Sequence, residues 1–266
     1  MTRKIIINEE YFRRYRQKLG FTNQADIKNF FGAKDITPII DLNYVKLLNG
    51  RLYEIVDKIE SAVSDEVKAH NLSSFKKEHI DRPFQMITRS GILPILNNLG
   101  RRPEQVYFSW MRGYVVSNFF LKALGLIFEV DTEKINLIGD DDLKTIETFK
   151  KTPKADLEIR LNGKKKIRVE MQSGFTGTND IKQHKVLEAK RVFREDGTPS
   201  LAIHIDLFNG QAAFVKLDEI ENNDEHWITR INLDEGLVYN IDQNFFFWDI
   251  KNTPSTYQYI TEKYYA

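Results

Sequence analysis

The chain has 266 residues, 41% of them hydrophobic and 12% aromatic, enough for one large packed domain or two small ones and too apolar for a disordered chain. Lys plus Arg number 39 against 38 Asp plus Glu, so the net charge of +1 gives no overall attraction to polyanions, and any nucleic-acid contact must come from local clusters. The absence of Cys excludes disulfides, thiolate metal sites and thiol nucleophiles, and it suits a reducing cytosol; with no run approaching ~18 apolar residues and Glu9 and Glu10 interrupting the first apolar stretch, the expectation is a cytoplasmic protein without a membrane segment.

The first part of the chain reads as helical, to about Gly125. NEEYFRRYRQKLG opens on a capping Asn8, carries Glu9 and Glu10 in its first turn and stops at Gly20. TNQADIKNFFG is a second short helix capped by Thr22 or Asn23, and the two together faintly resemble a helix-turn-helix. A third helix is expected from Leu42 to about Asn71, with Leu47, Leu48, Leu52, Ile55, Val56, Ile59 and Val63 near 3.6 spacing, a stripe best read as core. RRPEQVYFSWMRGYVVSNFFLKALG reads as one buried helix with Pro103 in its first turn and its end at Gly125. Residues 131–154 are charged and less periodic, and the run Asp140, Asp141, Asp142 within them is read as loop because consecutive side chains do not converge.

The second part, from about Asp156, reads as strands around one helix. KADLEIRLNGKKKIRVEMQ (154–172) alternates on both sides of Asn162-Gly163. Leu157, Ile159 and Leu161 on one strand and Ile167, Val169 and Met171 on the next should face the core; Asp156, Glu158, Arg160, Lys166, Arg168, Glu170 and Gln172 then share the other face. A two-residue loop would pair Leu161 with Lys164 and mix the faces, whereas the loop Asn162-Gly163-Lys164 pairs Ile159 with Ile167 and Leu157 with Val169. That register places Asp156 opposite Glu170. Two carboxylates so opposed lie ~5 Å apart and repel unless something binds between them. Mg²⁺, which prefers oxygen ligands, answers that need, with Asp156, Glu170 and the backbone carbonyl of Met171 as its protein ligands and Gln172 placed to orient water or a phosphate oxygen. On pattern alone, a polar strand face with Glu158, Arg160, Lys166 and Arg168 in cross-strand ion pairs explains the same residues equally well.

After the hairpin, SGFTGTND is a loop, residues 179–194 a helix, and SLAIHIDLF and QAAFVKLDEI two strands around Asn209-Gly210. The helix carries Lys182 and Lys185 three apart, candidates for a DNA backbone phosphate near the metal, while Arg13 and Arg14, interleaved with Tyr11 and Tyr15, are candidates for a second DNA contact. Solvated helix surface is the plainer reading of the lysines, and helix-surface Arg with core Tyr explains Arg13 and Arg14 equally well.

Asp156, then 13 residues, then Glu170-Met171-Gln172 resembles the signature of the PD-(D/E)XK nuclease superfamily, in which an Asp opens one strand of a hairpin and an acid-x-Lys sits on the next. The resemblance runs from the buried helix through the hairpin and following helix to the strand at 200–207. Two positions depart from it: Ala155 stands where the family has Pro, and Gln172 where it has Lys, as in some type II restriction endonucleases. A Gln is neither a general base nor a cation, and the helix offers only Glu104, near its start, as a third carboxylate. The resemblance implies an α/β (α+β) fold, a restriction-endonuclease-like mixed sheet flanked by helices, with residues 1–100 as a helical subdomain for DNA recognition or dimerisation and 101–266 as the nuclease core. It implies catalysis by Asp156, Glu170 and Gln172 with Mg²⁺, in a homodimeric type II restriction endonuclease acting on double-stranded DNA, with a cognate DNA methyltransferase as genetic partner. The alternatives are a repair or transposon-end nuclease of the same fold, and a catalytically silent DNA-binding protein.

Overall fold

The computed structural model describes residues 8–96, 101–139, 155–161, 165–230 and 236–264. Two short helices come first, α1 (Glu9–Lys18) and α2 (Gln24–Phe31), with Asn8 and Asn23 accepting from the N–H groups of Tyr11 and Asp26 as N-caps. Neither helix buries a residue. The helical layer follows: α3 (Leu42–Ala62), α4 (Leu72–Lys76), α5 (Arg82–Ser90), α6 (Pro103–Phe119) and α7 (Leu121–Phe128), with one π-helical turn at Lys77–Asp81 joining α4 to α5. The helix expected from Leu42 to Asn71 therefore ends early, at Ala62. Val63 is extended, and Ser64 donates its N–H to the carbonyl of Ile250 instead of continuing the helix. Its buried stripe is Val45, Leu52, Val56 and Ile59, and Leu47 points to solvent. The single helix expected up to Gly125 is likewise two, broken at Phe120, with Gly125 inside α7. Residues Pro103–Phe128 are long and apolar enough to cross a membrane by length and composition, and half of their most apolar window is buried against the rest of the fold.

Six strands form a mixed sheet in the order β1 (Ile135–Leu137), β2 (Leu157–Arg160), β3 (Lys166–Gly174), β5 (Ser200–Asp206), β6 (Gln211–Lys216) and β9 (Phe246–Asp249). β1, β2 and β3 run as an antiparallel meander; β3 then crosses through α8 (Gln183–Asp196) to a parallel β5. A second sheet orders β4 (Asp180–Lys182), β8 (Gly236–Asn240) and β7 (Trp227–Arg230), and α9 (Tyr257–Tyr264) closes the described chain. The helix expected over 179–194 begins only at Gln183, because Asp180, Ile181 and Lys182 are extended and pair with Asn240, Tyr239 and Val238. Its C-terminal turn is closed by Gly197 at φ 69°, the left-handed region that favours glycine.

Strand parity sorts the cores. Leu157, Ile159, Ile167, Val169, Met171, Leu201, Ile203, Ile205 and Phe214 face the helical layer and share one apolar cluster with Leu52 and Val56 of α3 and Met111 and Val115 of α6. That cluster spans both sides of residue 100. The other face of β5 and β6 packs Ala202, Ala213 and Val215 under Val186 and Ala189 of α8 and Tyr239 of β8. Each fully buried Leu, Ile, Val or Phe contributes about 1.5–3 kcal/mol, so these two clusters hold β3 and β5 rigidly between helices. Both faces of β3 are covered, which is why Val169, Glu170 and Met171 are buried in succession despite the alternating sequence.

Candidate functional site

The hairpin has the register that its alternation predicts: Leu157 pairs with Val169, Glu158 with Arg168, Ile159 with Ile167 and Arg160 with Lys166. Leu161 donates its N–H to the carbonyl of Lys165 at 2.9 Å, and the loop residues 162–164 themselves lie outside the described residues. So do Asp140, Asp141 and Asp142. Asp156 stands one residue before the ladder, at the strand's entrance. Its Oδ2 accepts the N–H of Met171 at 2.8 Å, which ties the carboxylate to β3 immediately beside Glu170.

Glu170 is 6% exposed, on the face of β3 that α8 covers. Lys185 Nζ lies 2.8 Å from its Oε1 and 2.9 Å from its Oε2, so the ammonium bridges both carboxylate oxygens. Lys185 follows β4 by three residues, and the helix register that buries Val186, Ala189 and Val192 turns it inward. Around Glu170 the polar face is therefore roofed by α8, where Ala155, Arg168, Glu170, Lys185 and Glu188 line a narrow cleft, while Arg160 at the other end is exposed. Lys166 pairs with Glu158 at 3.3 Å in the cross-strand manner expected. On the opposite side of the strands, Asp156, Leu157 and Met171 border a larger half-open cavity of about 240 Å³, whose other wall is Ser109, Trp110, Tyr114 and Asn118 of α6.

Gln172 continues on the Glu170 face and is paired across the parallel ladder with His204 of β5. Here the structure adds residues that alternation alone does not single out. His204 Nε2 is 2.8 Å from Asn179 Oδ1, and Asn179 donates to Asp206 Oδ2 at 3.2 Å, while Asp206 also accepts from Asn209 and from the N–H of Phe208. Among the described residues His204 Nδ1 is buried without a hydrogen-bond partner; in a neutral ring protonated on Nε2 it is the acceptor nitrogen. The only sequence signal for this network is polar residues at 204 and 206 of an otherwise apolar strand.

Burial lowers the His204 pKa to about 4 from its ordinary 6.5, against the smaller opposing pull of Asp206 and Asp180. The folded protein thus resists protonation at pH values where the unfolded chain accepts it. The stability tied to this ring is complete above about pH 6.5, falls as pH drops toward 4, and levels below that, for a loss of roughly 3 kcal/mol. Urea unfolding of the wild type and His204→Asn across pH 4–7 checks this: the wild type should show the slope and the variant a flatter one. Gly174 is confined by the same ring, since a Cβ there would sit 2.9 Å from His204 Nε2 and 3.4 Å from Asn179 Oδ1. Gly174→Ala should cost about 1–3 kcal/mol by displacing the imidazole, read as a lowered unfolding midpoint.

The remaining candidates lie apart from this cluster. Lys182 is exposed, at the end of β4 and not on the helix face of Lys185. Arg13 and Arg14 lie on exposed α1, with Arg14 paired to Glu10. Glu104 is 1% exposed and accepts from the N–H of Asp41 at 2.9 Å and from Arg102 at 3.0 Å, so it anchors the start of α3 to α6. It precedes Ser109, the first cavity residue of α6, by roughly 7–8 Å of helix rise. Burial opposes its charge, but these hydrogen bonds and Arg102 prevail and hold its pKa below the ordinary value.

No protein-family model matches the chain, and no curated protein matches it. Among solved structures it is similar to Hjc, a Holliday junction resolvase of the archaeal hyperthermophile Archaeoglobus fulgidus, at 13% identity and a TM-score of 0.25, over 35% of this chain and 66% of the resolvase.

Proposed function

We propose that this protein is a Mg²⁺-dependent DNA endonuclease, and in the narrower form a type II restriction enzyme that cuts double-stranded DNA at a short specific site. The observation that carries the reading is the placement of Asp156 on the N–H of Met171, next to a buried Glu170 whose two oxygens are held by Lys185. A buried carboxylate with an adjacent ammonium, next to a second carboxylate at the open end of a hairpin, is costly to assemble for stability alone. Such a cluster suits a site that works on a charged phosphodiester.

The donor types suit a hard cation: Asp156 offers carboxylate oxygens from the cavity side of the strands and Glu170 from the cleft beneath α8, and the Met171 carbonyl lies between Glu170 and Gln172 in the chain. Among the described residues no group of three or more His, Asp or Glu side chains converges, so the remaining ligands would be water and substrate phosphate. When bound, Mg²⁺ polarises the phosphate and offsets its negative charge. Lys185 supplies the positive charge that Gln172 lacks; Gln172, on the same face of β3, orients a water or phosphate oxygen through its amide. Lys182 and Arg13 are exposed and could meet DNA backbone, as could Arg14 on exchanging its Glu10 partner for phosphate. A homodimer would supply one such site for each strand, and a cognate methyltransferase would protect the host's own sites.

Incubating the protein with several unrelated plasmids, with Mg²⁺ or with EDTA, tests the reading. Discrete, metal-dependent fragments support the restriction form; cleavage confined to branched or damaged DNA supports a repair nuclease. Binding without any cleavage would identify a silent DNA-binding protein and reject the enzyme.

A further inference from the structure

Arg112 stands on α6, one residue before Gly113 and two after Trp110, both of which line the larger cavity. Its guanidinium carbon is 4.2 Å from the ring centre of Phe175 and 5.7 Å from that of Phe108. Phe108 is one turn back on the same helix; Phe175 is the residue that follows β3, the strand of Glu170 and Gln172. Arg112 is half-buried, and that burial lowers its pKa from the ordinary guanidinium value. The guanidinium lies over the Phe175 ring and, at longer range, the Phe108 ring, a contact made through the flat group's charge and face, while its N–H donors at the edge remain the groups suited to an anion.

We infer that Arg112, clamped against Phe175 and Phe108, is a binding site for a backbone phosphate of the nucleic-acid strand that enters the cavity beside Asp156. A guanidinium presents a flat fork that meets two phosphate oxygens at once, and stacking on Phe108 and Phe175 removes most of the freedom that such a side chain would otherwise lose on binding. Phe175 is 50% exposed, so the clamp is open to solvent on its outer side. The cavity next to it carries the hydroxyls of Ser109 and Ser117 and the stacked pair Trp110 and Tyr114, whose rings lie 6.0 Å apart at 13°. Hydroxyls and aromatic faces of that kind accompany the sugar and base of a bound strand. Because Phe175 extends from β3, a phosphate held by Arg112 is indexed to the strand that carries Glu170 and Gln172. The inference rests on the nuclease reading for the choice of a nucleic-acid phosphate over other anions.

The test is equilibrium binding of a fluorescein-labelled duplex by anisotropy, with Ca²⁺ in place of Mg²⁺, over a series of NaCl concentrations. Arg112→Met keeps a chain of similar length against the two rings and removes the charge; Arg112→Gln does the same with a polar end and serves if the first variant fails to fold. Lys58→Met, an equal charge change on an exposed position of α3, is the control. Either Arg112 variant should weaken binding about tenfold and reduce the slope of log affinity against log salt by about one, while Lys58→Met matches the wild type. Unchanged affinity and slope in a folded Arg112 variant, or no duplex binding by the wild type, overturns the inference. Plasmid cleavage is scored separately. Cleavage by the wild type together with unaltered binding by the Arg112 variants would reject the phosphate site and leave the nuclease standing; weakened binding by those variants with no cleavage by the wild type would do the reverse.

Discussion

Asp156→Asn and Glu170→Gln should each lower Mg²⁺-supported DNA cleavage by about a thousandfold or more, on the order of 4 kcal/mol in the barrier. The amides match the carboxylates in size, and the amide that replaces the Asp156 carboxylate would still offer an oxygen to the N–H of Met171, so the hairpin register is preserved while the charge that attracts a cation is removed. Single-turnover cleavage with each variant, beside duplex binding in Ca²⁺, separates loss of chemistry from loss of affinity. Binding within a few fold of the wild type is the expected companion result. A wild-type cleavage rate in either variant would mean that the carboxylates at the head of the hairpin are not the reacting site.

The second large effect concerns stability. Lys185→Met removes an ammonium that bridges both oxygens of a side chain 6% exposed, and should destabilise the fold by about 2–3 kcal/mol, somewhat less than a fully buried pair because Lys185 retains partial contact with water. The cost comes from the carboxylate left behind, not from the lost attraction alone. Glu170→Gln combined with Lys185→Met should therefore recover most of the loss, and the four proteins form a double-mutant cycle measured by urea unfolding. Additive effects, with no coupling between the two positions, would show that Glu170 is satisfied by other neighbours and that the ion pair is incidental.

How far the sequence leads is clearest at this hairpin. Leu157, Ile159, Ile167 and Val169 alternate, and one slip in register would expose all of them, so the pairing and the position of Asp156 beside β3 follow from the sequence alone. The Glu170–Lys185 pair does not, because it depends on how α8 settles over the sheet, a tertiary contact between residues 15 apart. Nor does the start of the helix over 179–194: Asp180, Ile181 and Lys182 carry no strand pattern of their own and become extended by pairing with β8, some 60 residues later. The early stop of α3 has the same origin, in the bond from Ser64 to Ile250. Local signals suffice where they are self-contained, as in the caps Asn8 and Asn23 and the turn at Asn209 and Gly210. His204 is hidden for a different reason. A lone histidine in an apolar strand has no periodicity, and only the approach of Asn179 gives it a role.

The crossover that places Lys185 over Glu170 is also the link between the two parallel strands at the centre of the sheet. A group mounted on a loop can swing to meet its target, but this ammonium is mounted on a helix wedged by Val186, Ala189 and Val192 and tied at both ends to strands that do not slide. The pair therefore behaves as part of a stiff frame. Under the proposed function, a duplex that reaches it would have to supply the bending, and sequences that bend cheaply at the point of contact would gain an advantage before any base is read.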